Sequence, residues 1–331
     1  MITERAVSLG ERIPPQTTQG VPEARQVTAP VEGADRSARR TNQRRRRQRL
    51  TAVACLAPAF VFYLSFVVGP WIQSVWISLF DWDGIGASTW VGLDNYLEVF
   101  TDAALRSSIL NAFGFILFYT VLPLIFGLAL AALTAGSRGR GLGIVRTILF
   151  LPQILPLVAV GVIFKWIYSP DGPLNQVLHA MGAGGLARGW LGDFNWAYPS
   201  VGLVGTWVTT GLCFLLFLSG IGKIDASLFE AARLDGANRL QEFWHITVPG
   251  VRGEIGVAVT VTVIAALASF DVVYVMTGGG PGYTTMVPGV QVYQLVFSDN
   301  RVGAASALSV VLSVIVVGIV GTVNAMIRRS K

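Results

Sequence analysis

Long apolar runs separated by short polar segments make up most of the chain after about residue 50. Five of these runs contain no charged residue, and each reaches the roughly 18 residues that a helix needs to cross the hydrocarbon core of a bilayer. A sixth run contains one charged residue, Asp271. We therefore predict an all-α integral membrane protein with six transmembrane helices. The predicted spans lie at about residues 51–76, 107–134, 145–167, 197–220, 252–276 and 302–327.

The composition supports this prediction. Hydrophobic residues make up 53% of the 331 residues, charged residues make up only 13%, and the mean hydropathy is +0.58. These values lie outside the usual range of globular proteins. The alternative is a large soluble core, which would need five or six uncharged helices of membrane length to pack together, so we prefer the membrane protein.

The sequence offers little material for catalysis. Cys55 and Cys213 both lie in apolar runs, and His179 and His245 are the only histidines. No cluster of His, Cys and carboxylate residues has the spacing of a metal site, and no Ser/His/Asp set or Gly-rich phosphate loop is present. We expect no disulfide, no metal, no cofactor and no catalytic residues, and therefore not an enzyme.

Basic residues are distributed unevenly between the two sides of the predicted membrane. With both termini on one side, that side collects 21 of the 25 Lys and Arg residues. The positive-inside rule assigns this side to the cytoplasm. The other side keeps Arg106, Lys165, Arg188 and Arg301. We predict a multi-pass protein of the plasma (cytoplasmic or inner) membrane with cytoplasmic N- and C-termini.

The chain divides into two predicted domains. Residues 1–47 are polar, lack apolar periodicity and are rich in arginine, so we predict a disordered cytoplasmic tail; residues 48–331 form the transmembrane domain. Eight arginines lie between Arg36 and Arg49. We interpret them as a topology determinant that contacts anionic membrane lipid. A nucleic-acid-binding arm is the alternative that we do not favour.

A charged, amphipathic segment, EAARLDGANRLQEFWHITVP at residues 230–249, lies between two spans on the predicted cytoplasmic side. Gly236 interrupts the helical pattern, because glycine lowers helix propensity by about 1 kcal/mol relative to alanine. The pattern predicts two short helices joined by a turn, with Leu240, Phe243 and Trp244 on the second. The alternative is a plain interfacial linker, but an apolar surface rimmed by charges is better suited to docking against a partner.

The same segment resembles the EAA signature of ATP-binding-cassette (ABC) importer permeases. The match comprises Glu230-Ala231-Ala232, Gly236, Ile246 and Pro249, while Val248 stands where that family usually has Leu. Further segments resemble the maltose/glycerol-phosphate-like carbohydrate permeases of the type that carries TGGGP. They are VGLDNYLEVF, RTILFLPQILP at 146–156, FDVVYVMTGGGPGYTT at 270–285 and GAASALSVV from Gly303.

The resemblance implies a type I ABC importer permease whose EAA helix couples it to a cytoplasmic ATPase. In that family this helix inserts into a cleft of the ATPase, which here makes Glu230 a salt-bridging anchor and Gly236 the turn. The implied partners are a second homologous permease, an ABC ATPase dimer and an extracytoplasmic solute-binding protein, with no nucleic acid. The implied coupling residues are Glu230, Ala231, Ala232, Asp235, Gly236, Leu240, Phe243, Ile246 and Pro249.

Polar residues inside the spans indicate where a solute could pass, because such groups tend to face a bundle interior or a wet cavity. Thr206, Thr209, Thr210 and Cys213 form one helical stripe by their spacing. Ser269, Asp271 and Tyr274 lie near the outer end of the fifth span. Hydroxyl, carboxylate and aromatic groups suit a sugar, but Ser and Thr also hydrogen-bond within and between helices. Both alternatives remain open.

Two classes of function remain. The first is an ATP-driven permease subunit for a sugar, an oligosaccharide or a related polyol. The second is a self-sufficient secondary carrier or channel for a small polar solute, which we would expect to show embedded coupling groups or internal repeats. Asp271 is nearly alone within the spans, so we favour the first; a membrane enzyme is a distant third.

Overall fold

A computed structural model describes residues 53–135 and 142–329, which form a mostly helical protein. The predicted tail at 1–47 lies outside these residues. The chain divides into two compact units, Met1–Leu64 and Ser65–Lys331. The first unit contributes only the helical residues 53–64 to the description, and the packing described below belongs to the second unit.

Fourteen helices are present in the described residues. In chain order they are α1 (Val53–Ile77), α2 (Asp94–Thr101), α3 (Ala103–Ala135), α4 (Leu142–Ile154), α5 (Leu157–Ile167), α6 (Pro173–Ala180), α7 (Ala197–Ile221), α8 (Ala226–Leu234), α9 (Arg239–Glu242), α10 (Val248–Gly250), α11 (Arg252–Leu267), α12 (Asp271–Met276), α13 (Pro288–Phe297) and α14 (Val302–Arg329).

Short irregular helical and extended segments complete the described part of the chain. Strand β1 (Phe80–Asp81) pairs antiparallel with β2 (Thr89–Trp90). Single π-helical turns lie within α1 at Leu64–Val68, within α3 at Leu117–Val121, and between α9 and α10 at Phe243–Thr247. A 3-10 turn covers Gly184–Leu186.

Five helical segments of the described residues are long and apolar enough to cross a membrane. They are α1, α3, α7, the pair α11 and α12 taken together, and α14. These segments overlap the predicted spans at 51–76, 107–134, 197–220, 252–276 and 302–327, whose bounds stay a prediction. A sixth span is reached only if α4 and α5 are counted as one.

The predicted third span, 145–167, is not a continuous helix. Its two halves, α4 and α5, meet at an angle of 100°. Pro156 supplies the physical reason, because proline has no N–H to donate to the preceding turn and disfavours helical geometry at the residue before it, Leu155. Pro152 lies within α4 and removes a further helical donor. The predicted span at 145–167 therefore corresponds to a bent pair of helices.

The core lies where α3, α7, α11 and α12 pack together. Phe115 and Tyr119 of α3, Val204 of α7 and Val273 of α12 are buried in one cluster. The helices approach closely at Gly205 of α7, where any side chain would collide with the ring of Tyr119. A small residue at such a position allows close helix packing in a membrane, where no hydrophobic force drives helices together.

The segment between α1 and α3 is a folded unit joined to the start of α14. Asn95 of α2 donates to the carbonyl oxygens of Ser78 and Phe80, each at 2.9 Å. The backbone N–H of Val302 donates to the carbonyl of Trp82 at 2.9 Å. These bonds hold the β-hairpin and α2 against one end of the bundle.

Candidate functional site

The segment from Asp225 to Gly250, hereafter the 225–250 loop, forms two short helices joined by a tight turn. Asp225 caps α8, because its carboxylate accepts a hydrogen bond from the backbone N–H of Ser227 at 3.0 Å. This bond lowers the pKa of Asp225 below its ordinary value. A side-chain cap satisfies a backbone donor that the helix itself leaves unpaired, so α8 has a defined start.

Gly236 makes the turn between the two helices. Its φ is +83°, in the left-handed region that L side chains rarely adopt. The N–H of Gly236 donates to the carbonyl of Arg233 at 3.1 Å, and the N–H of Ala237 donates to that of Ala232 at 2.9 Å. This pair of bonds is the Schellman arrangement that ends a helix at a glycine. The predicted turn at Gly236 is therefore present.

The second helix starts with a capping box. The side chain of Asn238 accepts from the N–H of Gln241 at 2.9 Å, and the Gln241 side chain accepts from the N–H of Asn238 at 2.8 Å. Reciprocal caps of this kind fix the first turn of a helix. α9 then continues through the π-helical turn into α10, where Pro249 occupies a first-turn position that tolerates proline.

An ion pair joins α8 to α9 across the turn. The Arg233 guanidinium donates from Nε to Oε1 of Glu242 at 2.8 Å and from a terminal nitrogen to Oε2 at 3.1 Å. These hydrogen bonds, helped by the charges of Arg233 and Arg239, hold the pKa of Glu242 below its ordinary 4.5, although burial opposes the shift. The sequence alone does not indicate this pair, because the nine-residue separation becomes a contact only after the turn has formed.

Large apolar side chains are exposed on the surface of the loop. Leu234 is 90% exposed, Leu240 67% and Trp244 58%. The rings of Phe243 and Trp244 pack edge to face at 5.2 Å. Large exposed apolar groups mark sites of interaction with another molecule, so the loop offers these side chains to a partner.

The loop is fixed to the helical bundle at both of its ends. Lys223, just after α7, forms a 2.8 Å ion pair with Glu254 of α11. Gly250 lies so close to Ile224 that a side chain on it would approach the Ile224 Cδ1 to 2.5 Å. Val251 is fully buried beside Ile221 and Phe217 of α7. A force applied to the loop therefore reaches α7 and α11 directly.

The predicted coupling residues all lie on this loop, in different surroundings. Glu230, Ala231 and Leu240 are exposed, whereas Phe243 and Pro249 are half-buried. A shallow cleft between the two helices is lined by Ala232, Asp235, Gly236, Ala237, Gln241, Glu242, His245 and Ile246. The coupling role of these residues stays a prediction.

The predicted polar stripe lies on α7 and faces the bundle. Thr206 donates to the carbonyl of Phe118 in α3 at 2.7 Å, and Thr209 and Thr210 donate to carbonyls one turn earlier, at 2.8 and 2.7 Å. Cys213 is fully buried. The hydroxyl protons are therefore engaged, but a hydroxyl oxygen can also accept hydrogen bonds. The role of the stripe in a solute pathway remains a prediction.

The second predicted group lies at the break between α11 and α12. Ser269 is buried, and its hydroxyl has no hydrogen-bond partner among the described residues. Phe270 leaves helical geometry and stacks on Tyr274 with centroids 5.1 Å apart. Asp271 begins α12. Ser269, Asp271 and Tyr274 therefore lie within six residues of one another at the start of α12.

α13 adds residues to this region that the sequence analysis did not single out. The ring of Tyr293 packs against Tyr274 at 5.0 Å and against Phe270 at 6.0 Å. Gln291 is buried, and its side-chain oxygen has no partner within the described part of the chain. Only the fold brings α13 beside α12, so no local spacing could have indicated these residues.

Across 53–135 and 142–329, no three His, Cys, Asp or Glu side chains are grouped so that they could hold a metal ion.

The comparison with known proteins identifies the family. Residues 124–329 match the binding-protein-dependent transport system inner membrane component family. The probable ABC transporter permease protein YurN of Bacillus subtilis (strain 168) is 38% identical over 263 residues, which cover 78% of this chain and 90% of YurN. The sulfoquinovosyl glycerol transport system permease protein SmoG of Agrobacterium fabrum is 35% identical over 268 residues, covering 80% of this chain and 86% of SmoG.

A solved structure shares the fold. It is a chain of a bacterial alginate ABC transporter in complex with an alginate pentasaccharide-bound periplasmic protein, similar with a TM-score of 0.74 and 23% identity over 86% of this chain and 96% of that chain. The family match and the apolar helices define a multi-pass inner-membrane protein of the ABC permease type. The chain belongs to the binding-protein-dependent transport system inner membrane component family and is a transport permease subunit.

Proposed function

We propose that this chain forms half of the translocation pathway of an ATP-driven importer for a sugar or oligosaccharide and couples to its ATPase through the 225–250 loop. The observation on which the proposal rests is the capped helix–turn–helix that exposes Leu234, Leu240 and Trp244. An exposed apolar surface of this kind needs a partner, and an amphipathic helix that enters a groove is a common mode of protein recognition.

The orientation that we propose places the loop and both termini in the cytoplasm. The support is the distribution of Lys and Arg, of which 21 of 25 lie on this side. The six-span topology counts α4 and α5 as one broken span. The hairpin β1–β2, α6 and α13 then lie on the outer side of the plasma membrane.

The mechanism that we propose is transmission of movement. The exposed face of α9 docks into a cleft of the ATPase, with Glu230 as a salt-bridging anchor. ATP-driven closure of the ATPase dimer moves the loop, and its fixed ends at Lys223–Glu254 and Gly250–Ile224 pass this movement to α7 and α11. The chain itself hydrolyses nothing in this scheme, because the ATPase supplies the chemistry.

The proposed partners follow from the family. A second homologous permease completes the pathway, a cytoplasmic ABC ATPase dimer drives it, and an extracytoplasmic solute-binding protein delivers the solute to the outer face, as the complex of the alginate transporter supports. The apolar residues exposed along α1, such as Phe62 and Phe66, are suited to contact with membrane lipid.

The proposed pathway includes the polar stripe on α7 and the break between α11 and α12 at residues 268–270, hereafter the outer break. Thr206, Thr209 and Thr210 lie on α7, and Ser269, Asp271 and Tyr274 lie at the start of α12. Hydroxyl and carboxylate groups bind sugar hydroxyls, and aromatic rings pack on sugar faces. The relative SmoG serves sulfoquinovosyl glycerol, and the similar structure belongs to an alginate transporter. Both solutes are carbohydrates, which supports the proposed substrate class.

A matched pair of glycine variants tests the coupling. Gly236 and Gly253 both have open space around an added side chain, but only Gly236 has a positive φ. We expect Gly236→Val to abolish uptake and to weaken ATPase association while the protein still inserts into the membrane, because valine at positive φ is strained. Gly253→Val should retain both uptake and ATPase association. Normal uptake by Gly236→Val would remove the coupling proposal.

A further inference from the structure

We propose that Arg233 and Glu242 form a clip that fixes the angle between α8 and α9, and that this clip determines how much of the ATPase movement reaches the spans. The inference rests on the proposed coupling function of the loop. Neither residue belongs to the EAA match, which comprises Glu230, Ala231, Ala232, Gly236, Ile246 and Pro249. Both residues act as positioning residues.

The geometry of the ion pair suits this role. Arg233 lies in the last turn of α8 and Glu242 is the last residue of α9. Both carboxylate oxygens accept a hydrogen bond from the guanidinium, at 2.8 and 3.1 Å. A two-point contact between a planar guanidinium and a carboxylate fixes orientation as well as distance. The clip therefore constrains both the separation and the angle of the two helices.

The turn at Gly236, which the clip spans, needs a contact that fixes the angle between the two helices. Gly236 is the joint between the helices, and glycine adopts a wider range of backbone conformations than any other residue. A joint of this kind bends under load unless another contact holds it. Arg233 and Glu242 lie on opposite sides of Gly236 along the chain, three residues before it and six after it, so their bond closes the joint.

Burial makes the contact harder to open than an ordinary surface pair. The side chain of Glu242 is only 10% exposed, whereas that of Arg233 is 64% exposed. Exposed ion pairs are weak because water replaces the partner easily. A carboxylate that is largely removed from water loses more when its partner leaves, because little solvent can take its place. The pair is therefore suited to resist opening under load.

The clip lies on the opposite side of α9 from the exposed apolar face. Leu240 and Trp244 are four residues apart and exposed, so they share one face of the helix. Glu242 is midway between them in the sequence and buried, which places it on the opposite face. Loss of the clip should therefore leave the docking surface intact and make the transmission of movement less efficient.

The test measures coupling separately from docking. The complete transporter, with its partner permease, ATPase and binding protein, is reconstituted in vesicles, and uptake per ATP hydrolysed is measured together with ATPase association. We expect Glu242→Gln to lower this ratio about fivefold without reducing association. The double variant Arg233→Glu with Glu242→Arg should restore the ratio, whereas Arg233→Glu alone should not. Arg252→Gln, a change of an exposed arginine at the start of α11, is the matched control and should leave the ratio unchanged.

Each contrary outcome is distinct. An unchanged ratio in Glu242→Gln overturns the clip, and so does a double variant that behaves like Arg233→Glu. Loss of ATPase association in Glu242→Gln also overturns it, because Glu242 would then be a docking residue, while the proposed function of the loop would stand. The proposed function fails separately if Trp244→Ala leaves association and uptake unchanged in the same vesicles.

Discussion

The 225–250 loop and the outer break between α11 and α12 arrange their side chains in opposite ways. In the loop the charged and polar groups are paired with one another, as in Arg233 with Glu242 and Asn238 with Gln241, while Leu234 and Trp244 are exposed. At the outer break the apolar and aromatic groups pack together. There, the hydroxyl of Ser269 is buried without a hydrogen-bond partner among the described residues.

Each arrangement is unfavourable for an isolated chain, and each indicates a different kind of partner. Exposed leucine and tryptophan side chains in water favour the binding of an apolar protein surface. Buried polar groups without a partner carry a desolvation penalty that a hydrogen-bonding ligand or water can relieve. The contrast therefore supports the proposal of a protein partner at the 225–250 loop and a hydrated solute near the break between α11 and α12.

The largest effect is expected at the loop. Replacing Trp244 with alanine removes the centre of the exposed apolar face, and central tryptophans contribute about 2 kcal/mol or more to an interface, which is roughly a 30-fold change in affinity. We expect Trp244→Ala to need a correspondingly higher concentration of the ATPase for half-maximal binding in a pull-down from membranes. Trp90→Ala, at an equally exposed position of the hairpin, is the control and should bind normally. Equal binding of the ATPase by both variants would show that Trp244 is not a docking residue and would contradict the difference drawn between the two regions.

A smaller effect is expected at the outer break. Asp271→Asn keeps the shape of the side chain but removes its charge, and a hydrogen bond to a charged group contributes about 1.5–3 kcal/mol. We expect the apparent affinity for solute in vesicle uptake to fall about tenfold with ATPase association unchanged. Asp299→Asn, at an exposed site after α13, is the matched control. If the two variants show the same affinity, Asp271 does not contact the solute.

The smallest effect is a pH dependence of the loop. Because the folded pKa of Glu242 lies below its ordinary 4.5, the ion pair stabilises the loop fully above that pH, and this stabilisation is lost as the pH falls through the lowered value. We expect amide exchange in α9 to accelerate below about pH 4.5 relative to the Glu242→Gln variant. Arg239 and Glu230 act on the pair, and Asp235 and His245 share the cleft, so the variant isolates the contribution of Glu242. Parallel profiles for the two proteins would contradict the assignment.

Local sequence rules predicted the loop well and the outer end less completely. The turn at Gly236 and the two short helices follow from residues close to each other in the sequence, because caps and left-handed glycines act over a few positions. Four apolar runs correspond to the continuous helices α1, α3, α7 and α14, because the length of an apolar run is also read from neighbouring residues. The bend at Pro156 also follows from a local rule, because proline removes a helical donor and restricts the residue before it, whereas the lack of charge in this run indicates only its length.

The remaining features depend on contacts that no local pattern records. Tyr293 reaches Phe270 and Tyr274 only because α13 folds back beside α12. The Arg233–Glu242 pair and the Lys223–Glu254 pair join residues nine and 31 positions apart. Such ion pairs form only after the fold has brought the two helices together, so the sequence alone does not identify the paired residues.

The most direct test of the central claim is a crosslink between the loop and the ATPase in the assembled transporter. In a Cys55→Ser background, Leu240→Cys and Ile85→Cys place a thiol at two exposed sites, one on α9 and one on the hairpin. A short thiol crosslinker should join Leu240→Cys to the ATPase subunit and should not join Ile85→Cys to it. A crosslink from Ile85→Cys alone, or none from Leu240→Cys in a complex that still transports, would contradict the account.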